Sequence, residues 1–433
     1  MRFYIYSFAI IPLFNLSLHL VLSCIACYNN FILMTKKEKL ILFVLAAAQF
    51  THIVDFMIMM PLGPQLMRIF KINPQQFSLI VASYTFSAGI FGFLGAFFID
   101  RFDRKTAFII AYIGFTLGTL ACGLAPTYHF LLVARILAGA FGGILGALVL
   151  AIISDIIPLE RRASAMGIVM TAFSAASVLG VPLGLWLSNL YTWNTPFLFL
   201  AGFTTLITAS IFKIIPSLTE HLQSKSNRPK PFEVITNVTG NKNALRALLM
   251  MSLLIFGQFS TIPFLSPYMV YNVGFQESQL PFIYLCGGIG TIFTLPLIGK
   301  LADKYGRLKI FGYTIFLSAI PILVITNLGH ISVHYALVIT TFFMILVGGR
   351  IVPATAMVTS TVHPKNRGSF MSINSSIQQL SSGSASFLAG MVILKNADGS
   401  LSHYNWIGFF AIGASFLSLY VAQKLRSADG QKL

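Results

Sequence analysis

Charge is what this chain has least of. Asp, Glu, Lys and Arg make up 9% of its 433 residues, where a soluble domain carries roughly 25%. Acids are the scarcest, 12 against 29 Lys and Arg. No stretch is polar enough for long enough to fold as a soluble domain. That excludes a basic nucleic-acid-binding face despite a formal net charge of +17, and it leaves no output module for a sensor. The 8 His are scattered, at His19, His52, His129, His221, His330, His334, His363 and His403. There is no HExxH, Walker loop or nucleotide-binding stretch, and no clustered His, Cys, Asp or Glu to form an enzyme centre. An enzyme, a metal site, a cofactor and ATP-driven transport are therefore not expected. The repeated filter loops of a channel are missing as well. Of the 4 cysteines, Cys24 and Cys27 form a CxxC with no second pair, and Cys122 and Cys286 stand alone in apolar runs.

What the chain has instead is apolar length. Hydrophobic residues are 56% of it and the mean hydropathy is +0.81. Twelve runs are long enough to cross a bilayer, near residues 40–62, 77–99, 106–125, 130–153, 164–188, 196–215, 247–270, 280–299, 309–327, 334–358, 370–394 and 404–422. Only helices and closed barrels satisfy their backbone in lipid. These runs are continuous rather than alternating, so the chain is an all-α polytopic membrane protein. Its basic residues crowd the loops on one side, from Lys36, Lys37 and Lys39 to Lys424 and Arg426. Only Arg68, Lys71 and Lys395 fall on the other side, while Arg135 and Arg350 lie inside spans. Basic loops stay in the cytoplasm, so both ends of the twelve-helix body face inward and the positive charge reports orientation.

Residues 1–33 are an additional apolar segment that fits a false start before Met34, a signal peptide or an extra span. Lys36, Lys37 and Lys39 behind it favour a natural start at Met34. Residues 34–215 form an N-terminal six-helix half and 247–433 a C-terminal one. They are joined by a polar linker over 216–246 that holds Pro216, Pro229 and Pro231. The halves repeat one another. AFFIDRFDRK (Ala96 to Lys105) follows the second span, and GKLADKYGRLK (Gly299 to Lys309) follows the eighth, with Asp100 and Asp303 203 residues apart. PLERRASAM follows the fourth span and PKNRGSFM the tenth, with Pro158 and Pro364 206 apart. Parallel repeats of this kind occur in secondary transporters, with a site between the halves.

At these residues the chain resembles the major facilitator superfamily, over about residues 36–425. The superfamily's loop pattern, Gly-x-Leu-Ala-Asp-(Arg/Lys)-x-Gly-Arg-(Arg/Lys), is carried by Gly299, Leu301, Ala302, Asp303, Lys304, Gly306 and Arg307, with Leu308 in the last basic place. The first copy keeps Asp100, Arg101, Arg104 and Lys105 but has Ala96 and Asp103 where the glycines belong. The resemblance implies a twelve-helix fold of two pseudo-symmetric six-helix bundles, and a gating role for this loop. Independently, a carboxylate and several cations in a tight turn make a charge network on the cytoplasmic rim. In it Asp100 and Asp303 meet helix N-termini of the other half, or the charges simply set topology.

A charge in mid-span costs at least about 2.5–3.5 kcal/mol, so each one is a functional candidate. Asp55 is the one acid in the middle of a span, and His52, three residues earlier, shares its helix face. Arg135 lies in RILAGAFGG of the fourth span, which resembles an Arg-x-x-x-Gly pattern of proton-driven members. Asp55 is read as a proton carrier whose balance is set by burial and by Arg135 or His52, or else as a structural pair tying two helices. Gly180, Pro182 and Gly184 in GVPLG resemble, loosely, a kinked Gly–Pro motif of antiporters. Tyr84, Gln258, Arg350, Asn374 and Gln378 are candidate cargo contacts or interhelical hydrogen-bonders. The style of PLGP, DRFDRK and GVPLG resembles the drug- and sugar-efflux branch, including arabinose-efflux-like permeases. The expectation is a monomeric, proton-coupled exporter of a small organic molecule in a bacterial inner membrane, with lipid as its surroundings and no nucleic-acid partner. Proton-coupled uptake of a metabolite or siderophore is the alternative, and a transport-dead sensor is the reading from another class.

Overall fold

The computed structural model describes residues 34–98, 101–219, 240–363 and 367–428. The segment 1–33 and most of the linker lie outside the described residues. Twelve helical spans are present among the described residues. Eleven are long and apolar enough to cross a membrane: Lys36–Ile58, Pro74–Gly95, Arg104–Gly123, Tyr128–Ile156, Ser164–Leu190, Thr195–Ile214, Lys242–Val273, Glu277–Tyr305, Arg307–Thr326, Val333–Ser360 and Tyr404–Ala422. The helix Arg367–Val392, eleventh in chain order, differs from the sequence expectation: it is too polar to count as an apolar span. Its polarity is turned into protein. Asn374, Ser376, Ser381, Ser382 and Ser386 are buried. Ser381 pairs with Ser252 at 2.6 Å, and Ser386 donates to the Phe259 carbonyl at 3.3 Å. Such partners replace the water that lipid lacks.

Local chemistry explains the helix ends. Thr35 and Glu38 form a reciprocal capping box at the first helix. Asp103, Thr127 and Asn241 cap the third, fourth and seventh spans. Gly306 turns between the eighth and ninth spans at φ 97°, a conformation that suits only glycine, which is why the loop pattern has glycine there. Prolines mark the irregular places. A π-helical stretch, Ala176–Gly180, precedes Pro182 in the fifth span. The tenth span breaks at Arg350, three residues before Pro353, into Val333–Gly349 and Ile351–Ser360. Proline has no N–H for the preceding turn and crowds its carbonyl.

The two halves meet along the second and eleventh spans, where glycines allow close approach. A Cβ on Gly390 would strike Ser78, one on Gly383 would meet Thr85 and Phe86, and one on Gly89 would meet Leu380. The core shows how the halves are disposed. At the face opposite the basic loops, called outer here, one apolar cluster runs across both halves, from Ile58, Leu62 and Phe77 to Phe264, Tyr284 and Ile407. Near the basic face each half keeps its own cluster. One is built on Leu45, Phe108, Leu148 and Ile211, the other on Leu254, Phe311, Met357 and Phe370. Two small strands, β1 (Leu394–Lys395) and β2 (Leu401–Ser402), pair antiparallel in the last outer loop.

Candidate functional site

The charged centre lies inside the N-terminal half. Asp55 on the first span and Arg135 on the fourth form an ion pair at 2.9 Å, with side chains 0% and 1% exposed. The same guanidinium nitrogen donates to the Asp55 carbonyl at 3.3 Å, and Thr119 of the third span donates to the other carboxylate oxygen at 3.1 Å. The Tyr84 ring of the second span faces Arg135, 4.2 Å from the guanidinium carbon to its centroid, a cation–π contact in a dry site. Four helices thus converge on one charge pair.

Small residues make that convergence possible. A Cβ on Gly139 or Gly143 would run into the carbonyl oxygens of Tyr84 or Ala88, so these glycines let the fourth span lie against the backbone of the second. Gly180 packs directly on Val54, and Gly184 on Ile58. The GVPLG segment therefore seats the first span on either side of Asp55. His52 lies one turn before Asp55, half-buried between the rings of Tyr84 (6.3 Å) and Phe115 (5.8 Å). Neither of its ring nitrogens has a hydrogen-bond partner among the described residues, nor does the Tyr84 hydroxyl, and both groups lie over Gly142.

The other candidates are distributed. Gln258 and Asn374, on the seventh and eleventh spans, each carry a buried side-chain oxygen without a partner among the described residues, as do Gln49 and Ser382. Gln378 is half-buried one turn beyond Asn374. Arg350 is fully buried in the C-terminal half. It donates to Ser415 Oγ at 2.8 Å and to the Val347 carbonyl at 3.3 Å, and one guanidinium nitrogen has no partner.

On the inner rim, Asp100 lies outside the described residues and Arg101 is exposed. Arg104 pairs with Asp155 at 3.3 Å, tying the third span to the fourth. Lys105 donates to the Phe212 carbonyl at 2.9 Å. Burial pushes the Asp103 carboxyl up, but N–H donors from Leu218, Lys105 and Thr106 and the Thr106 hydroxyl outweigh it and hold the group below its usual range. In the second copy Asp303 is 3.9 Å from Arg307 of its own turn and largely exposed, Arg307 donates to the Ala356 carbonyl, and Gly299 borders Val352. Arg161 grips Glu38 with both nitrogens at 3.0 Å. These contacts lie within single halves. Thr119, Asp155, Ser415 and Glu38 were not among the sequence candidates: a hydroxyl in a span carries no distinguishing signal, and acids at span ends merge with the loops.

On the outer side, contacts cross between the halves. Arg68 grips Glu277 with both terminal nitrogens. Asn189 donates to the Glu277 carbonyl at 3.3 Å, and the Tyr271 hydroxyl to the Pro64 carbonyl at 3.1 Å. The outer end is closed.

Residues 45–265 and 247–431 match the Major Facilitator Superfamily. The chain belongs to that superfamily. It is 24% identical to "Multidrug resistance protein 2" of Bacillus subtilis over 400 residues, covering 90% of this chain and 98% of that one. It is 23% identical to "Uncharacterized MFS-type transporter YceJ" of the same species, covering 83% and 89%. With "Putative transporter AraJ" of Escherichia coli the identity is 26% over 54% of this chain and 58% of the relative. Some matches are partial: with "Uncharacterized MFS-type transporter YhcA" of B. subtilis, 43% of this chain aligns to 35% of the relative. Solved structures of a D-xylose-proton symporter (TM-score 0.69, 15% identity, 91% and 99% coverage) and a nucleoside transporter (0.71, 12%, 88% and 98%) share the fold. The chain is a superfamily transporter with the twelve-helix architecture.

Proposed function

We propose that this protein is a secondary transporter that exports a small organic molecule in exchange for protons. The buried Asp55–Arg135 pair carries this reading. A carboxylate in a dry interior has two accessible charge states. Desolvation favours the protonated form, and the Arg135 charge with the Thr119 hydroxyl favours the ionised one. Protonation removes the ionic attraction and leaves Arg135 to its remaining contacts, the Asp55 carbonyl and the Tyr84 ring. The first and fourth spans are then free to shift against each other, and the Gly180–Val54 and Gly143–Ala88 contacts carry that shift into the fifth and second spans. Those spans border the other half, so a local proton event biases a global two-state element. His52, beside the pair with both nitrogens open, serves as the relay toward solvent.

The shared outer core and the Arg68–Glu277 latch describe one end of an alternating-access cycle, closed to the outside. Unpaired polar atoms on Gln258 and Asn374 suit cargo held at the seam. Relatives named for multidrug resistance support outward transport. The protein acts as a monomer in a bacterial inner membrane, surrounded by lipid, with both ends of the helical body cytoplasmic. The proton gradient supplies the energy, without a cofactor. Proteoliposomes with an imposed pH gradient, screened against a substrate panel, test this. Wild type accumulates cargo with the gradient and Asp55→Asn does not. Wild-type transport that ignores the gradient overturns the coupling.

A further inference from the structure

Basic residues are disfavoured on the outer side of a membrane protein. Among the described residues, only Arg68, Lys71 and Lys395 of the Lys and Arg lie there. Arg68 and Lys71 are neighbours in the N-terminal half and Lys395 lies far away in the C-terminal half, yet all three line one cavity of about 570 Å³ at the outer seam. Arg68, Lys71 and Asn73 supply one wall, and Tyr271, Glu277 and Lys395 the other. Glu277 neutralises only Arg68. Asp398, the other outer acid, is engaged with Ser400 in its own turn. Lys395 stands 4.7 Å from the centroid of the Tyr271 ring, and neither it nor Lys71 has an acidic partner among the described residues. Lys71, at φ 54°, takes the left-handed turn that ends the helix Gly63–Ile69, where the Ile72 N–H donates to the Met67 carbonyl. The cavity falls in the size range of ligand sites, roughly 300–1,000 Å³.

We propose that this cavity binds a phosphate-type oxyanion between Lys71 of the N-terminal half and Lys395 of the C-terminal half. Two compact ammonium charges from different halves suit an anion with several oxygens better than a single-point one. Because the walls belong to different halves, the bound anion ties them at the closed face and favours this conformation over any in which the outer ends part. The site holds whatever the cargo and the direction of transport. The same chemistry is offered by a lipid phosphodiester headgroup and by free phosphate.

The test uses the purified full-length protein in neutral detergent. Equilibrium dialysis measures binding of labelled inorganic phosphate, and native mass spectrometry measures retention of phosphatidylglycerol against phosphatidylcholine. Lys71→Gln and Lys395→Gln each weaken binding about tenfold, and together about a hundredfold, the size of lost charge-assisted contacts. Lys213→Gln, the same charge change at an exposed position on the inner face, leaves binding unchanged. Phosphate binding identifies a soluble ligand, and selective retention of phosphatidylglycerol identifies a headgroup. Binding of neither, or equal binding by the double variant, overturns the site. Hydrogen exchange in residues 188–195, at the seam but outside the cavity lining, reads closure. It slows several-fold on binding in wild type, and no change there overturns the tie between the halves.

Discussion

Removing either member of the Asp55–Arg135 pair leaves the other charge buried and uncompensated, and this dominates any other effect of the change. Both side chains are essentially inaccessible, so solvent does not screen the loss. Breaking a buried pair costs about 3–5 kcal/mol, whereas replacing both members with apolar residues is close to neutral or stabilising. Asp55→Asn sits at the lower end of that range, because its amide oxygen still accepts from Thr119. Asp55→Leu sits at the upper end. With an unfolding entropy of about 2.1 cal/mol/K per residue and a cooperative half of about 180 residues, 3–5 kcal/mol corresponds to a drop in Tm of about 8–13 °C. The double variant Asp55→Leu/Arg135→Met returns to within a few degrees of wild type. Thermal unfolding in detergent, followed by the loss of the monodisperse peak on size exclusion, gives all the values needed for a double-mutant cycle. Single variants within about 2 °C of wild type, or a double variant worse than both singles, refute the burial argument. Transport is lost in every one of these variants, and its loss in the stability-rescued double variant is what separates a proton site from a helix tie, since a mere tie would let that variant transport.

Gly143→Ala tests the packing beneath that site with an inverted sign. In an exposed helix the change stabilises by about 1 kcal/mol, but here the new methyl enters the Ala88 carbonyl, so Tm falls and the folded yield drops. Glu277→Gln and Arg68→Gln each release the outer latch. An exposed pair is worth at most about 1 kcal/mol, so labelling of an engineered cysteine at the outer seam accelerates by at most about fivefold, equally in either variant and no further in the double. The folded-state value of Asp103 is depressed, so its stabilising contribution is present at neutral pH and is lost as pH falls through that value. Amide exchange at Leu218, corrected for intrinsic rate, therefore rises only in acid, and Asp103→Asn is already fast at pH 7 and shows no such step.

The spans were legible because lipid demands long apolar runs, and their order followed from the repeated loop motifs. The eleventh helix departs from that rule for the reason that makes it interesting: its serines and asparagine face other helices, so composition understates how deeply it is inserted. Asp55 and Arg135 stood out because charge inside an apolar run is costly and rare. Thr119 and Ser415 did not, since span hydroxyls commonly bond their own preceding turn, as Ser415 does to the Ala411 carbonyl in addition to accepting from Arg350. The outer latch was unreadable. Arg68 and Glu277 are 209 residues apart, and no local pattern links them. The irregularity of the fifth span was signalled by Pro182, whereas the break near Pro353 in the tenth was not legible, because proline alone does not say whether a helix bends, over-winds or parts.

The two repeats differ at their buried arginines. Arg135 and Arg350 occupy the fourth and tenth spans, cognate helices of the two halves, and both are buried. Arg135 meets a carboxylate, a carbonyl and a ring. Arg350 meets a hydroxyl and a carbonyl at the break in its own helix, with no acid beside it among the described residues. A guanidinium keeps its charge at any physiological pH, and Arg350 joins the break in the tenth span to the twelfth span through Ser415. Among the described residues, the buried acid–base pair sits in the N-terminal half alone. Under the proposed coupling, proton binding at Asp55 changes the packing of that half first, so the two bundles move as unequal partners.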